Sequence, residues 1–339
     1  MKLKLHPYQL RLKHQFNIAH DSRSVQQTLI IEIEHEGMSG FGEATVSKYY
    51  HNGLQDMIAV LEENIDLIES YNFTDPMKFW EKLKLVFGEN TFALAAVDEA
   101  LHDLYAKNKQ VKLYELWDLP LIKNWPQSNY TIGIDSVQNM ITKLREFPWP
   151  IYKIKLGTKD DIKIIQELRK VTAAAFRVDA NCGWSVRETI ENSKILKELG
   201  VEFIEQPLPA NDWEGMKQVY QYSDLPVVAD ESCIHESDIQ KCSGHFHGVN
   251  IKLMKCGGFT PAIGMIKEAR TLGLKTMVGC MTESSVGISA VAQLRPFLDY
   301  IDMDGFLLID NDVAEGPYIE NQKIIMPERY GVGIDRLVR

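Results

Sequence analysis

Long apolar runs are absent from the 339-residue sequence. A transmembrane helix needs about 20 consecutive apolar residues, and no run approaches that length, so the sequence predicts no membrane span. The first six residues, Met-Lys-Leu-Lys-Leu-His, do not begin an apolar core of the kind found in secretory signal peptides. We therefore expect no signal peptide.

Cysteine is also scarce, with five residues scattered along the chain and no Cys-x-x-Cys pair: Cys182, Cys233, Cys242, Cys256 and Cys280. An odd number without regular spacing does not predict a disulfide framework. The cysteine content instead fits a protein of the reducing cytoplasm.

Basic residues are outnumbered, since 37 Lys and Arg face 47 Asp and Glu, for a net charge of −10. Nucleic-acid binding relies on Lys and Arg that neutralise phosphates, so the charge argues against a nucleic-acid partner. Apolar residues make up 45% of the chain, which permits a large core and argues against disorder. The length suits a barrel with an accessory domain.

Three carboxylates, each closing a short apolar run, stand at a regular spacing. Asp179, Glu205 and Asp230 are separated by 26 and 25 residues. One strand, one helix and two loops take about 25 residues, so this spacing is the period of a βα repeat. Lys153 and Lys155 end the strand-like run before the first acid, and Lys252 lies in the run after the last.

The alternation of strand and helix patterns extends from about residue 128 to residue 304. Helical patterns separate eight strand candidates: 129–134, 151–156, 176–181, 202–206, 226–231, 248–254, 275–281 and 299–304. The first third differs, because strands at 2–14 and 28–34 precede helical patterns at 54–71 and 90–107, with Gly37 and Gly40 to Gly42 marking a turn between them.

These patterns predict an α/β fold, a (β/α)7β modified TIM barrel with an N-terminal α+β capping domain. The predicted boundaries are 1–124 for the capping domain, 125–305 for the barrel and 306–339 for a C-terminal segment that returns to the capping domain. A short strand pair at 317–319 and 323–325 is predicted in that segment.

The three acids supply only oxygen ligands, and strand ends at a barrel mouth would bring them together. Hard oxygen ligands with room for water and substrate favour Mg²⁺, one ion per subunit, with Mn²⁺ as the next candidate. A set of solvated loop acids is the alternative interpretation. Three acids at strand ends in register favour the metal site.

The lysines predict acid–base chemistry. Residues two apart on a strand face the same way, so Lys153 and Lys155 point together. A free lysine, with a pKa near 10.4, is a poor base, but a neighbouring ammonium and a divalent cation would both lower the pKa of Lys155. With Lys252 across the mouth, two bases would face one carbon, as a racemase or epimerase requires. Mg²⁺ would neutralise the charge of the resulting enediolate. The alternative is that the lysines merely pair with the acids.

Five motifs, in this order, resemble the enolase superfamily in its muconate-lactonising subgroup: Lys153-Ile-Lys155, Asp179-Ala-Asn181, Ile204-Glu205-Gln206-Pro207, Ala229-Asp230-Glu231-Ser232 and Asn250-Ile-Lys252. The N-terminal Gly40-Phe41-Gly42-Glu43-Ala44 also fits, and the resemblance covers nearly the whole chain. Asp302-Met303-Asp304 looks like the Asp-x-Asp motif of dipeptide epimerases, which holds the free ammonium of the N-terminal residue.

The resemblance implies epimerisation of a dipeptide, such as Ala-Glu from peptidoglycan recycling, at the α-carbon of its C-terminal residue. It makes Lys155 and Lys252 the acid/base pair, assisted by Lys153 and Glu231, with Mg²⁺ bound by the three acids. Loops 16–24 and 45–52 would close over the substrate. The implied substrate-binding residues are Asp302, Asp304, Arg23, Tyr49, Tyr50, Thr131, Asn181, Met281 and Glu283.

Alternatives stay open at this stage. Arg23 either pairs with a glutamate side chain or is simply exposed, and Tyr49 and Tyr50 suit an apolar pocket equally well. An o-succinylbenzoate synthase, a cycloisomerase or an N-acylamino acid racemase would use the same scaffold, although the substrates of the first two carry no ammonium for Asp302 and Asp304. A non-catalytic barrel is disfavoured by the full set of acids and lysines. We expect a homo-oligomer, the commonest state of soluble assemblies.

Overall fold

The computed structural model describes residues 1–18 and 21–338. Within these ranges the N-terminal part begins with an antiparallel sheet of order β1-β2-β3: β1 (Lys2–Ile18), β2 (Asp21–His35) and β3 (Met38–Thr45). Helices then cover the sheet: α1 (Leu54–Glu63), α2 (Ile65–Glu69), α3 (Pro76–Phe87) and α4 (Thr91–Lys109), followed by a 3₁₀ helix (Leu113–Leu116).

Gly40 and Gly42 lie inside β3, so the prediction that they mark a turn is wrong. Helix α4 passes directly behind the strand. A Cβ atom on Gly42 would collide with Ala96 O, and one on Gly40 would collide with Ala100 O. Only glycine permits so close an approach of two backbones. The predicted helix over 54–71 is two helices, which meet at Asn64.

In the described part of the chain, eight parallel strands follow in chain order: β4 (Tyr130–Ile132), β5 (Ile151–Lys155), β6 (Ala175–Asp179), β7 (Val201–Glu205), β8 (Val227–Ala229), β9 (Gly248–Ile251), β10 (Lys275–Val278) and β11 (Tyr300–Ile301). Ser128, just before β4, pairs in parallel with Ile301 of β11, and Ser128 Oγ accepts a hydrogen bond from Met303 N (2.9 Å). The two edges of the sheet therefore meet, and the predicted barrel fold is confirmed.

Helices occupy every connection between successive barrel strands: α5 (Val137–Glu146), α6 (Asp161–Arg169), α7 (Val186–Glu198), α8 (Trp213–Tyr222), α9 (Asp238–Cys242), α10 (Leu253–Cys256), α11 (Phe259–Thr271) and α12 (Ser285–Leu294). Local sequence sets their starts. Ser185 forms a capping box with Glu188 at α7, for example, which satisfies backbone amides that have no partner within the helix. Among the helices of the described ranges, none is both long enough and apolar enough to span a lipid bilayer.

The C-terminal segment runs back over the N-terminal part. A 3₁₀ helix (Arg295–Phe297) precedes β11, and a second one (Gly305–Leu308) begins the C-terminal segment, which also contains the hairpin β12 (Tyr318–Glu320) and β13 (Lys323–Ile325). Ile309 pairs with Leu12 of β1, and Gly331 pairs with Lys112. The domain boundaries at residues 124 and 305 stay a prediction.

Two buried acids of the N-terminal part cap helices of the barrel. Asp98 on α4 accepts hydrogen bonds from Thr260 N (3.0 Å) and Thr260 Oγ1 (2.8 Å) in the first turn of α11. Glu43 on β3 has the same role at the start of α12. A capped helix start is worth about 1 kcal/mol at each site, so these contacts dock the N-terminal part onto the barrel.

Candidate active site

A cavity of about 320 Å³ lies at the C-terminal ends of the barrel strands, beneath the β1–β2 hairpin and the turn after β3. The hairpin and the turn contribute one wall, which includes Phe16, Arg23 and Tyr50. The barrel side of the cavity is lined by Thr131, Lys153, Lys155, Asn181, Asp230, Glu231, Lys252, Cys280, Met281, Thr282, Asp302, Asp304 and Leu308.

The three acids converge below this cavity. Asp179 and Glu205 end β6 and β7 and are register partners, and Asp230 directly follows β8. One oxygen atom of each lies within 4.8 Å of the others, and all three side chains are buried. Glu205 Oε2 accepts no hydrogen bond from the described residues, although Lys153 Nζ lies 2.8 Å away. An all-oxygen donor set with an unsatisfied buried oxygen fits Mg²⁺.

Lys153 lies between the acid trio and the last barrel strand. Its Nζ is 3.1 Å from Asp179 Oδ2, 2.8 Å from Glu205 Oε2 and 3.1 Å from Asp302 Oδ2. Burial alone would lower the pKa of Lys153, but the charges of Glu205 and Asp179 outweigh it and raise this pKa well above its usual value. Lys153 is therefore a permanent cation that joins the two groups of acids.

Lys155 and Lys252 occupy opposite sides of the barrel. Lys155 ends the second barrel strand and Lys252 follows the sixth, so three strands lie between them in either direction. Lys155 Nζ donates to Asp179 Oδ2 (2.7 Å), and Lys252 Nζ donates to Asp230 Oδ2 (2.8 Å). Both side chains line the cavity. The acid trio thus lies between two lysines that face the same space.

The carboxyl groups of the site outnumber its ammonium groups by two. Counted over residues 1–18 and 21–338, the cluster holds six carboxyl groups (Asp179, Glu205, Asp230, Glu231, Asp302 and Asp304) and four ammonium groups (Lys153, Lys155, Lys252 and Lys255). Burial and the nearby Asp230 raise the pKa of Glu231 to about 8, and burial and Asp302 raise the pKa of Asp304. Protons on these two acids supply the missing charge, which a divalent cation would supply equally well.

Asp302 and Asp304 form a second acidic site at the end of β11. Asp302 Oδ1 accepts from Asn129 Nδ2 (2.8 Å), and Asp304 Oδ2 accepts from Thr131 N (2.5 Å). Burial opposes ionisation of Asp302, but the charge of Lys153 outweighs it and lowers the pKa of Asp302. Burial and the charge of Asp302 raise the pKa of Asp304, and two adjacent acids of this kind are suited to an incoming ammonium.

Glu231 is held by Asn181, whose Nδ2 donates to Glu231 Oε1 (3.2 Å). Asn181 has a left-handed backbone (φ 42°) outside β6, and its N–H donates to Asp179 Oδ1 (2.9 Å). Within the described chain, Glu231 Oε2 and Asn181 Oδ1 are buried without a hydrogen-bond partner. Both groups face the cavity and can accept hydrogen bonds from a ligand.

The predicted specificity residues divide into two groups. Arg23, Tyr49, Tyr50, Thr131 and Met281 line the cavity. Glu283 is not brought into this lining, because its Oε1 accepts from Met281 N (2.6 Å) and its side chain packs against Gly287.

The predicted closing loop 16–24 is a strand pair over its described residues, in which Phe16 pairs with Arg23. Residues 19 and 20 of that loop lie outside the described residues. Arg23 Nη1 donates to Gln26 Oε1 (2.5 Å) and lies 3.9 Å from Asp21 Oδ2, while Arg23 Nε is buried without an acceptor in the described ranges.

Sequence reasoning missed several residues that shape the site. Asn129 contacts Asp302, and Cys280 contacts Asp304. Lys255 contacts Asp230. Only Lys255 had a sequence signal, since it stands three residues after Lys252, the spacing of neighbours on a helix. The roles of the others depend on contacts between distant strands.

Comparisons with known proteins agree on one family. Residues 137–336 match the model described as enolase C-terminal domain-like, and residues 3–117 match the mandelate racemase / muconate lactonizing enzyme N-terminal domain. The chain is 54% identical over 337 residues to the L-Ala-D/L-amino acid epimerase of Flavobacterium johnsoniae, covering 99% of this chain and 100% of the relative. It is 38% identical over 343 residues to the L-Ala-D/L-Glu epimerase of Bacteroides thetaiotaomicron, covering 99% and 88%.

A solved structure has the same architecture. The crystal structure of a dipeptide epimerase from Methylococcus capsulatus, complexed with Mg and the dipeptide L-Arg-D-Lys, superposes with a TM-score of 0.91 at 29% identity. The superposition covers 99% of this chain and 100% of that one.

Proposed function

The chain belongs to the mandelate racemase / muconate lactonizing enzyme family of the enolase superfamily, and we propose that it is a Mg²⁺-dependent dipeptide epimerase that inverts the α-carbon of the C-terminal residue. The observation that carries the proposal is the placement of Lys155 and Lys252 on opposite barrel strands, facing one cavity with the acid trio between them. An epimerase needs one proton donor and one acceptor on opposite faces of a single carbon, and this arrangement provides both.

The proton transfer conserves charge. One lysine, unprotonated, takes the proton from the α-carbon, and the other, protonated, gives its proton to the opposite face. The roles of Lys155 and Lys252 are exchanged in the reverse direction. Each lysine is anchored on a carboxylate in the structure, Lys155 on Asp179 and Lys252 on Asp230, which fixes the direction of approach.

Asp179, Glu205 and Asp230 would hold the cation. When bound, Mg²⁺ neutralises the negative charge that develops on the substrate carboxylate as the α-proton leaves. Lys153, fixed among the same acids, adds a permanent positive charge beside this group, and Glu231 with Asn181 completes the wall on the Asp230 side.

The Asp302–Asp304 pair binds the N-terminal ammonium of the dipeptide. Its support is the burial of both carboxyl groups next to the cavity and the raised pKa of Asp304, whose proton the ammonium would replace. This pair favours a dipeptide over the carboxylate substrates of an o-succinylbenzoate synthase or a cycloisomerase, which carry no ammonium.

The N-terminal residue of the substrate is alanine, by similarity to the named relatives. The C-terminal side chain faces the hairpin wall, where Tyr49, Tyr50 and Phe16 offer apolar surface and Arg23 offers a charge. The unsatisfied Nε of Arg23 supports recognition of an acidic side chain, so we include Ala-Glu among the substrates. A role in peptidoglycan recycling follows from that substrate.

A dipeptide library incubated with the enzyme and Mg²⁺ in D₂O tests the proposal. Substrates gain one deuterium at the α-carbon of the C-terminal residue, and chiral analysis shows both epimers. Deuterium at the N-terminal residue, or none in any dipeptide, would contradict it. Mass fragmentation locates the deuterium within the dipeptide and so separates these outcomes.

A cytoplasmic location and a homo-oligomeric state are further proposals. The location is supported by the cysteines, all five of which lie in the described ranges and are free. Size-exclusion chromatography with light scattering tests the oligomeric state.

A further inference from the structure

Lys255 lies one helical turn beyond Lys252. Strand β9 ends at Ile251, Lys252 follows in an extended conformation (φ −125°, ψ 129°), and the short helix α10 then turns the chain. Lys255 N donates to Lys252 O (3.0 Å) across that turn. Both ammonium groups thereby reach the same carboxylate, that of Asp230.

The two lysines divide the oxygen atoms of Asp230 between them. Lys252 Nζ contacts Oδ2 at 2.8 Å, and Lys255 Nζ contacts Oδ1 at 2.6 Å. Their surroundings differ. The Lys252 side chain is 11% exposed and lines the cavity, whereas the Lys255 side chain is 0% exposed and is absent from the lining.

The ammonium group of Lys255 is fully engaged. Besides Asp230 Oδ1, it contacts the backbone oxygens of Asp230 (2.6 Å), Cys233 (2.8 Å) and Asn250 (3.2 Å). Three N–H bonds thus serve four acceptors from two segments of the described chain, the turn after β8 and strand β9. Such a group has neither a free proton nor a path to the substrate, so proton transfer belongs to Lys252.

We infer that Lys255 is a positioning residue of the metal site: it holds Asp230 Oδ1, fixes the plane of the carboxylate and leaves Oδ2 as the oxygen available to the cation. The inference rests on the proposed function only in taking Asp230 as a metal ligand. When Lys252 turns to a substrate, Asp230 loses one partner but keeps its orientation, because Lys255 remains in place. Partners that orient a metal ligand in this way typically change metal affinity by about 10- to 100-fold when removed.

Lys255→Met removes the ammonium and keeps an unbranched side chain that is one heavy atom shorter. Lys107→Met is the matched control, because Lys107 Nζ also bonds a buried aspartate, Asp103 (2.7 Å), and the backbone oxygens of Ser39 (2.8 Å) and Ile334 (2.5 Å), far from the cavity. Calorimetric titration of the metal-free proteins with Mg²⁺ should show affinity reduced about 10- to 100-fold in Lys255→Met and unchanged in Lys107→Met. Equal affinity of Lys255→Met and the wild type would overturn the inference.

A crystal structure of the wild-type protein soaked with Mg²⁺ tests the positioning role of Lys255 even if Lys255→Met does not fold. The expected result has Lys255 Nζ still on Asp230 Oδ1 and the cation on Oδ2. A cation on Oδ1, or Lys255 turned away, would overturn the inference. Both readouts are independent of epimerisation, so intact Mg²⁺ binding with no turnover of any dipeptide would contradict the proposed function alone.

Discussion

Glu43, on the third strand of the N-terminal sheet, accepts hydrogen bonds from both the backbone N–H (3.1 Å) and the hydroxyl (2.5 Å) of Ser284, 241 residues away at the start of a barrel helix. Gly287 N adds a third hydrogen bond to the same carboxyl group (2.9 Å). The chain that leads into this helix carries Met281 and Thr282 into the cavity wall. The N-terminal sheet therefore fixes part of the site from outside the barrel.

Loss of either opposed lysine should stop turnover. Lys155→Met and Lys252→Met each remove one of the two proton carriers, so we expect kcat/KM for a dipeptide to fall by about 10²- to 10⁴-fold. Lys143→Met is the control, since Lys143 makes a similar half-buried ion pair with Asp135 (2.9 Å) on the outside of the barrel. Chiral chromatography of the products gives the rates. Full activity in either cavity variant would refute the two-base assignment.

The ammonium site should be visible in KM. Asp304→Asn keeps an acceptor for Thr131 N but cannot become a carboxylate when the ammonium binds, and a hydrogen bond to a charged group is worth about 1.5–3 kcal/mol. We expect KM for dipeptides to rise about 10- to 100-fold with a smaller change in kcat. Asp310→Asn, at an exposed ion pair with Arg11, serves as the control. An unchanged KM would remove the ammonium role of Asp304.

Arg23 should discriminate between C-terminal side chains. Arg23→Gln removes the cation from the hairpin wall while retaining a polar side chain, so kcat/KM for Ala-Glu should fall about tenfold relative to that for Ala-Leu. Arg11→Gln, on the neighbouring strand β1, is the control. The measurement is direct competition between the two dipeptides. A parallel loss on both would show that Arg23 supports the hairpin and does not read the substrate.

The pH dependence of stability should change when a buried acid is neutralised. Burial and the neighbouring acids raise the pKa of Glu99 well above its usual value and raise the pKa of Glu283 to about 8. The folded state therefore keeps protons that the unfolded state releases near pH 4.5, and stability falls as pH rises from that value through the folded pKa.

Glu99→Gln and Glu283→Gln remove this contribution. Between pH 5 and pH 9, the melting temperature of each variant should decline less than that of the wild type, by about 2–4 °C for every kcal/mol recovered.

Glu32→Gln is a control of opposite sign. Burial acts against the ionised form of Glu32, but hydrogen bonds from Ser39 and Lys4 outweigh it and lower its pKa. Its ionised form stabilises the fold above pH 4.5, a contribution lost as pH falls through the lowered pKa. Parallel melting curves for wild type and both buried variants would contradict the prediction.

The barrel could be predicted from sequence because its signal is local. Asp179, Glu205 and Asp230 close buried strands at a constant spacing. The C-terminal ends of parallel barrel strands all lie at the same mouth of the barrel, so these acids had to lie close together. The family resemblance, the fold and the metal-binding trio were all available from such motifs. Lys153 and Lys155 could likewise be assigned to one face from the alternation of a strand.

Features that depend on distant contacts could not be predicted. Gly40 and Gly42 indicated a turn, because their purpose appears only when α4 lies behind β3. The hairpin around Arg23 has polar residues typical of a loop, yet residues 16–18 pair with residues 21–23. Lys255 stands three residues after the Asn250-Ile-Lys252 motif, but its engagement with Asp230 requires the turn that α10 introduces after β9.

The caps that Asp98 and Glu43 provide have an evolutionary consequence. A chimera that joins this barrel to the first hundred residues of a paralogue without acids at both places would leave Thr260 N at α11, and Ser284 N and Gly287 N at α12, without these acceptors. Recombination between members of the family should therefore succeed only when both halves carry this complementarity. New specificities should arise by mutation within the β1–β2 hairpin rather than by exchange of the whole N-terminal part.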